Sequence, residues 1–269
     1  MSHPLVERLA SGNPDERRAA CMAALEEAGT PDLVFALSDA LGDPVKAVGR
    51  AASDALVGLA QRSADIEGPL ERALHSPDRK ARWRAAFTAA RLSPPEPRLL
   101  PALVEGLGSE DGDVRWASAR LIVETGRRHG EVMPLMVGLV RGGETALVRR
   151  MATFALRELA HDRPEAAEVL LEAVDDPDLH VRRAATLAMA SLEAPPEPIA
   201  ERLLEALKRD PDAATRRLAA LALGELGAHQ PDFVPDETGD ALHRARTSDD
   251  PDLRRAVERA LDRLERGRP

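Results

Sequence analysis

One phrase recurs along the chain. Residues 175–192 read DDPDLHVRRAATLAMASL, residues 142–159 read GGETALVRRMATFALREL, and residues 210–226 read DPDAATRRLAALALGEL. Aligned on the residue before the repeated Arg, the copies fall at Val48, Ala81, Val114, Val148, Val181 and Thr215, with gaps of 33, 33, 34, 33 and 34. Degenerate copies flank them at 13–25 (NPDERRAACMAAL) and 250–261 (DPDLRRAVERAL), so about eight units fill the 269 residues. A period of that length implies stacked supersecondary units, each too small to bury its apolar face alone, with atypical units at the ends. The units are expected at roughly 1–29, 30–62, 63–95, 96–128, 129–161, 162–195, 196–229 and 230–269, as a single domain over 1–269.

Each unit reads as two helices. Aromatics make up 2% of the chain, Tyr is absent, and Ala and Leu dominate, which suits closely packed helices rather than a sheet. First helices are expected over 31–42, 65–75, 97–108, 130–141, 163–174 and 197–209, after Pro-rich turns such as SPPEP and EAPPEP. Second helices are expected to open on a capping residue followed by proline, at Asn13-Pro14, Asp43-Pro44, Ser76-Pro77, Asp176-Pro177, Asp210-Pro211 and Asp250-Pro251. Val181, Ala184, Ala185, Ala188 and Leu192 share one helical face, and the small Ala residues let neighbouring hairpins approach closely. The last spacing is longer, 38 residues from Thr215 to Leu253, and the inserted GAHQPDFVPDETGD is expected to seat Phe233 in a C-terminal cap.

An acidic-Pro turn, then Val-Arg-Arg-Ala-Ala, then a trailing Leu-Gly, fullest in DPDAATRRLAALALGELG, resembles the short HEAT-like repeats of the phycobilisome-lyase (PBS lyase) type. The resemblance covers about residues 13–264 and implies an all-α, right-handed α-solenoid of about eight antiparallel hairpins, an armadillo-like superhelix. The Trp-Leu-Gly-Tyr and Thr-Pro-Leu-His patterns of tetratricopeptide and ankyrin repeats are missing.

The first repeated Arg recurs as Arg82, Arg115, Arg149, Arg182 and Arg216, with turn acids Asp78, Asp113, Asp178 and Asp212 near by. An Arg fork can bridge an acid or a carbonyl in the adjacent turn, so this ladder is expected to fix stacking, with a break at Gly49. The next position reads Arg50, Trp83, Trp116, Arg150, Arg183 and Arg217. Four residues on stand Asp54, Phe87, Arg120, Phe154, Leu187 and Leu221. Residues four apart share a face, and stacking sets equivalent positions side by side. In similar repeats this stripe lies on the exposed, usually concave, second-helix face. An apolar strip rimmed by charge marks a binding surface, whereas the same aromatics could also fill gaps between Ala-rich helices. The partner-binding residues expected here are Trp83, Phe87, Trp116, Arg120, Arg150, Phe154, Arg183, Leu187, Arg217 and Leu221, for an acidic protein or peptide selected by the Arg side chains. Arg84 belongs to the same cationic set, although it stands where other units carry a buried Ala.

The formal net charge of −9 argues against a surface that attracts nucleic acid or anionic membrane as a whole. The N-terminus lacks a signal-peptide pattern and no run approaches a membrane span, so a soluble, cytoplasmic protein is expected. Catalytic, cofactor and metal sites are expected to be absent: the seven His residues have no zinc-site spacing, Cys21 sits in an Ala-packed helix, and no Gly-rich phosphate cradle follows a strand. The leading reading is a non-enzymatic scaffold. Two others use the same groove: a bilin-lyase-like chaperone or enzyme subunit, and a HEAT-like DNA glycosylase. The glycosylase reading lacks its carboxylate, because Phe87 and Arg120 stand one turn after Trp83 and Trp116.

Overall fold

The structure, a computed structural model, describes residues 3–160, 164–190, 192 and 198–267. Among them every regular element is helical. The chain divides into two compact units, Met1–Thr125 and Gly126–Pro269. In the first unit, α1 (Pro4–Leu9) pairs with α2 (Pro14–Ala23), α3 (Pro31–Ala40) with α4 (Lys46–Gln61), α5 (Glu67–Leu74) with α6 (Arg79–Ala90), and α7 (Leu100–Leu107) precedes α8 (Gly112–Gly126). In the second, the pairs are α9 (Val132–Gly142) and α10 (Ala146–Leu159), α11 (Pro164–Ala173) and α12 (Leu179–Met189), α13 (Pro198–Arg209) and α14 (Ala213–His229), and α15 (Thr238–Ala245) and α16 (Pro251–Gly267). The expected first helices are present. The EAPPEP turn and His161 lie largely or wholly outside the described residues.

Ala and Leu build the core at helical spacing. On α4, Val48, Ala52, Ala55, Leu56 and Leu59 are fully buried, and on α12 Val181, Ala185 and Ala188 are. Ala at these positions permits close approach at little cost in side-chain entropy. The approach is close between α14 and α16, where a Cβ added at Gly224 would lie 2.5 Å from the Ala260 Cα. Three buried hydroxyls are satisfied within their own helix: Thr88, Thr153 and Thr186 donate to the carbonyls of Arg84, Arg149 and Arg182.

The turn between the two helices of a hairpin departs from the expected caps. Asn13 does cap α2, accepting from the Asp15 amide. Asp250 likewise precedes Pro251 at the start of α16 and accepts from the Asp252 amide. In three other turns the cap is the second polar residue: Asp78, Asp178 and Asp212 accept from amides of α6, α12 and α14. The first acid has another use. Asp43, Asp176 and Asp210 each accept the amide two residues on, closing the turn, and each also accepts a guanidinium from the preceding hairpin. Arg17 reaches Asp43 at 2.6 Å, Arg149 reaches Asp176 at 2.7 Å and Arg182 reaches Asp210 at 3.0 Å. The same arginines donate back to their own turn, at the carbonyl six residues earlier: Ser11, Gly143 and Asp176. Arg82, Arg115 and Arg216 repeat this backward bond, and Arg82 replaces the missing aspartate with Glu105. The rungs of Arg17, Arg149 and Arg182 therefore staple two successive turns. After Arg115 the sequence offers Gly142-Gly143 instead of an acid, and the Arg115 Nε is buried without a partner.

At Gly49 the ladder loses its own arginine, as expected, and a neighbour restores the bond to the turn carbonyl but not the one to a carboxylate. Arg84 of the next hairpin lies across Gly49, its Nη1 donating to the carbonyls of Leu41 and Asp43, and a Cβ at Gly49 would stand 2.3 Å from that nitrogen. The Asp43 carbonyl is the one six residues before Gly49, so Arg84 supplies from α6 the guanidinium that α4 lacks. The expected seat for Phe233 is not formed. Phe233 is 43% exposed, and Val234 approaches Gly227 instead, where an added Cβ would find its Cγ2 at 3.3 Å. The short turn Pro231–Phe233 points the aromatic ring outward while its neighbour packs.

Asp43 and Asp176 are held below the usual carboxylate range. Burial, the largest single influence, pushes each upward, and is outweighed by the Arg17 or Arg149 bond, the turn amide and a second nearby guanidinium. A carboxyl with a folded value below its unfolded one stabilises the fold above about pH 4 and loses that contribution as pH falls through the folded value. Urea unfolding should therefore show stability declining below about pH 4. Asp176→Asn should be less stable than wild type at neutral pH, with the gap narrowing in acid. For the Gly49–Arg84 exchange, Gly49→Ala should destabilise the wild type but stabilise an Arg84→Ala background, where helix propensity favours Ala by about 1 kcal/mol. A double-mutant cycle by urea unfolding reads the sign change.

Candidate functional site: the second-helix face

The ladder occupies the turn edge of each hairpin, and the residue after each ladder Arg points from a different part of the second helix. None of the ten sequence-expected face residues is sealed in the core. Trp116 is 48% exposed and Leu187 44%, Arg120 is exposed, and Trp83, Phe87, Arg150, Phe154, Arg183, Arg217 and Leu221 are half-buried.

In the first unit the face forms a cleft of about 400 Å³ across α4, α6 and α8, lined among others by Lys46, Arg50, Asp54, Trp83, Arg84 and Phe87. The Trp83 and Phe87 rings meet edge to face, centroids 5.4 Å apart, and the Arg84 guanidinium stands 5.2 Å from the indole. Asp113 accepts from Lys46 at 3.0 Å and from Arg50 at 3.3 Å; Arg91 reaches Asp54 at 2.8 Å. A second cleft of about 540 Å³ adjoins this one, sharing Lys46, Arg50 and Asp54, and extends to Arg18, Met22 and Leu25. Arg18 and Met22 occupy the stripe register in the first hairpin, and Met22 is 55% exposed. The sequence reading missed both, although counting one and five residues on from Arg17 finds them.

In the second unit the stripe runs along α10, α12 and α14 as Arg150–Phe154, Arg183–Leu187 and Arg217–Leu221. Two of its arginines are already engaged. Arg183 holds Asp212 in a two-pronged bridge at 2.7 and 2.8 Å, and Arg217 holds Asp252 at 3.0 Å. The acids they hold sit two residues after the ladder acids, so a second, more exposed ladder runs beside the first. The Arg183 bond is the main cause that keeps the Asp212 carboxyl well below its ordinary range. These two side chains meet a partner as neutralised pairs, not as the free cations expected from the sequence.

The arrangement offers little chemistry. Cys21 is buried, and that burial pushes its thiol up to about 12, far from the thiolate a nucleophile needs. Among the described residues no group of three or more His, Cys, Asp or Glu could hold a metal ion, and no helix is long and apolar enough to cross a membrane.

Comparison with known proteins adds the following. The sequence profile described as HEAT repeats matches residues 66–157 and 132–200, together half of the chain. Among solved structures, importin beta is 17% identical with a TM-score of 0.63, the match covering 98% of this chain and 41% of importin beta. Kap121p is 15% identical with a TM-score of 0.60, covering 97% of this chain and 33% of Kap121p. Kap95p, in a structure concerned with its binding to RanGDP, is 13% identical with a TM-score of 0.61, covering 97% of this chain and 39% of the other. The chain thus spans between a third and about two fifths of these three proteins, and the likeness shows the fold. Comparison with curated proteins finds no match.

Proposed function

Because the chain belongs to the HEAT-repeat family, we propose that it is a non-enzymatic protein-interaction scaffold whose second-helix face receives a segment of a partner protein. Within the family we read it as the short, PBS-lyase-like kind, from the Val-Arg-Arg-Ala-Ala phrase, and we place it in the cytoplasm, where a lone buried cysteine stays reduced. The observation that carries the reading is the exposed indole of Trp116 beside the Trp83–Phe87 cleft. Monomeric surfaces seldom leave large apolar groups together in the open, and aromatic side chains are the commonest anchors of protein interfaces. A solved relative in fold gives the reading a precedent: Kap121p is seen bound to the extreme C-terminus of the protein phosphatase Cdc14p.

Affinity purification of the tagged full chain from its source organism tests the proposal. The Trp83→Ala/Trp116→Ala variant, folded by circular dichroism, should lose a protein that wild type and a Phe35→Ala control retain. Loss of two anchors corresponds to at least about a hundredfold weaker binding. An unchanged set of partners would refute the face.

A further inference from the structure

Arg84 is the side chain that the scaffold reading leaves unexplained. It is 5% exposed, yet its charge has no carboxylate in hydrogen-bonding contact: its bonds go to two carbonyls, Asp43 and Asp78 act on it only through space, and its Nε is buried without a partner. A buried guanidinium in this state is costly, because a lost hydrogen bond and an unneutralised charge are both paid in a low-dielectric setting. Every other cation around the first cleft bridges an acid: Lys46 reaches Asp111 at 2.6 Å and Asp113 at 3.0 Å, Arg50 reaches Asp113, and Arg91 reaches Asp54. With Asp111 counted beside Asp54 and Asp113, the four cationic side chains of the lining meet three carboxylates, and the cation left over is Arg84, on a chain whose formal net charge is −9. The adjoining cleft adds Arg18.

We infer that this trough, across α2, α4, α6 and α8 of the first unit, docks an acidic segment of a partner protein, one carboxylate answering Arg84, Arg50 and Lys46 while an adjacent bulky apolar side chain packs on Trp83 and Phe87. The inference rests on the scaffold reading and names the partner chemistry. Charge complementarity decides for an acidic segment: the local excess is positive and includes one fixed, preorganised guanidinium, the donor that best matches a carboxylate. The apolar floor decides for a side chain beside that acid. A nucleic-acid strand fits less well, since Asp54 and Asp113 stand within the trough and would oppose a run of phosphates. Arg183 and Arg217, being bridged to Asp212 and Asp252, have no comparable role.

Selection of a random-peptide phage library on the immobilised full chain tests this, with oligo(dT) as a parallel probe. Peptides enriched on wild type should pair Asp or Glu with Trp, Phe or Leu. Arg50→Glu, at a side chain 63% exposed, should weaken them about tenfold with the fold kept by circular dichroism, as should Arg84→Gln. Enrichment of basic or uncharged peptides, enrichment equal on Arg50→Glu, no enrichment at all, or tighter binding of oligo(dT) would each overturn the inference. Basic or uncharged peptides that still depend on Trp83 would leave the scaffold face standing while removing the acidic partner; binding indifferent to Trp83→Ala would remove both.

Discussion

A single arginine geometry organises the repeats. Its guanidinium lies between two turns, donating to a carbonyl of its own hairpin and to the carboxylate that opens the next. Bonds of this kind are individually modest when exposed and stronger where, as for Arg149 with Asp176 or Arg182 with Asp210, both partners are largely withdrawn from water. Their larger effect is on register. The carboxylate is fixed by its own turn amide, the arginine by its own turn carbonyl, and the two hairpins can then meet in only one relative height. The Ala-rich helix faces, which interlock weakly by shape, need such an external rule.

The ladder also explains why the second-helix face is available. With stacking fixed along the turn edge and along the Ala stripe, the position after each ladder arginine lies outside the main ladder and varies. It varies widely, from Arg to Trp, whereas in the six central copies the ladder position departs from Arg only at Gly49. In the second unit Arg183 pairs with Asp212, the cap of the following second helix, and Arg217 with Asp252 in the first turn of α16; where it is Trp in the first unit it opens a cleft. The same register thus supplies added stacking in one place and a docking surface in another.

Much of the fold was legible because the signal is periodic. Eight hairpins follow from spacings of 33 and 34, and the first helices lie within a few residues of where the Pro-rich turns put them. Three errors share a cause. Asp43 and Asp176 look like helix caps from local sequence, but an arginine some 27 residues away claims them, and no local pattern reveals that. Gly49 looks like a gap and Arg84 like a misplaced charge; each makes sense only through the other, across 35 residues. Phe233 looks like a cap because it is aromatic in a Pro-rich insertion, while the packing contact falls to Val234. At the site, the stripe register was readable from the sequence, and the engagement of Arg183 and Arg217 was not, for the same reason of distance along the chain.

The central claim is that the arginine rung couples neighbouring hairpins energetically. A double-mutant cycle on Arg182→Ala and Asp210→Ala, read by urea unfolding at neutral pH, measures that coupling apart from the arginine's bonds to its own turn. The account predicts an interaction of about 1.5 kcal/mol, with each single variant losing most of what the double variant loses. Additive losses, within about 0.4 kcal/mol, would mean that the bridge is incidental and that the hairpins stack by apolar burial alone.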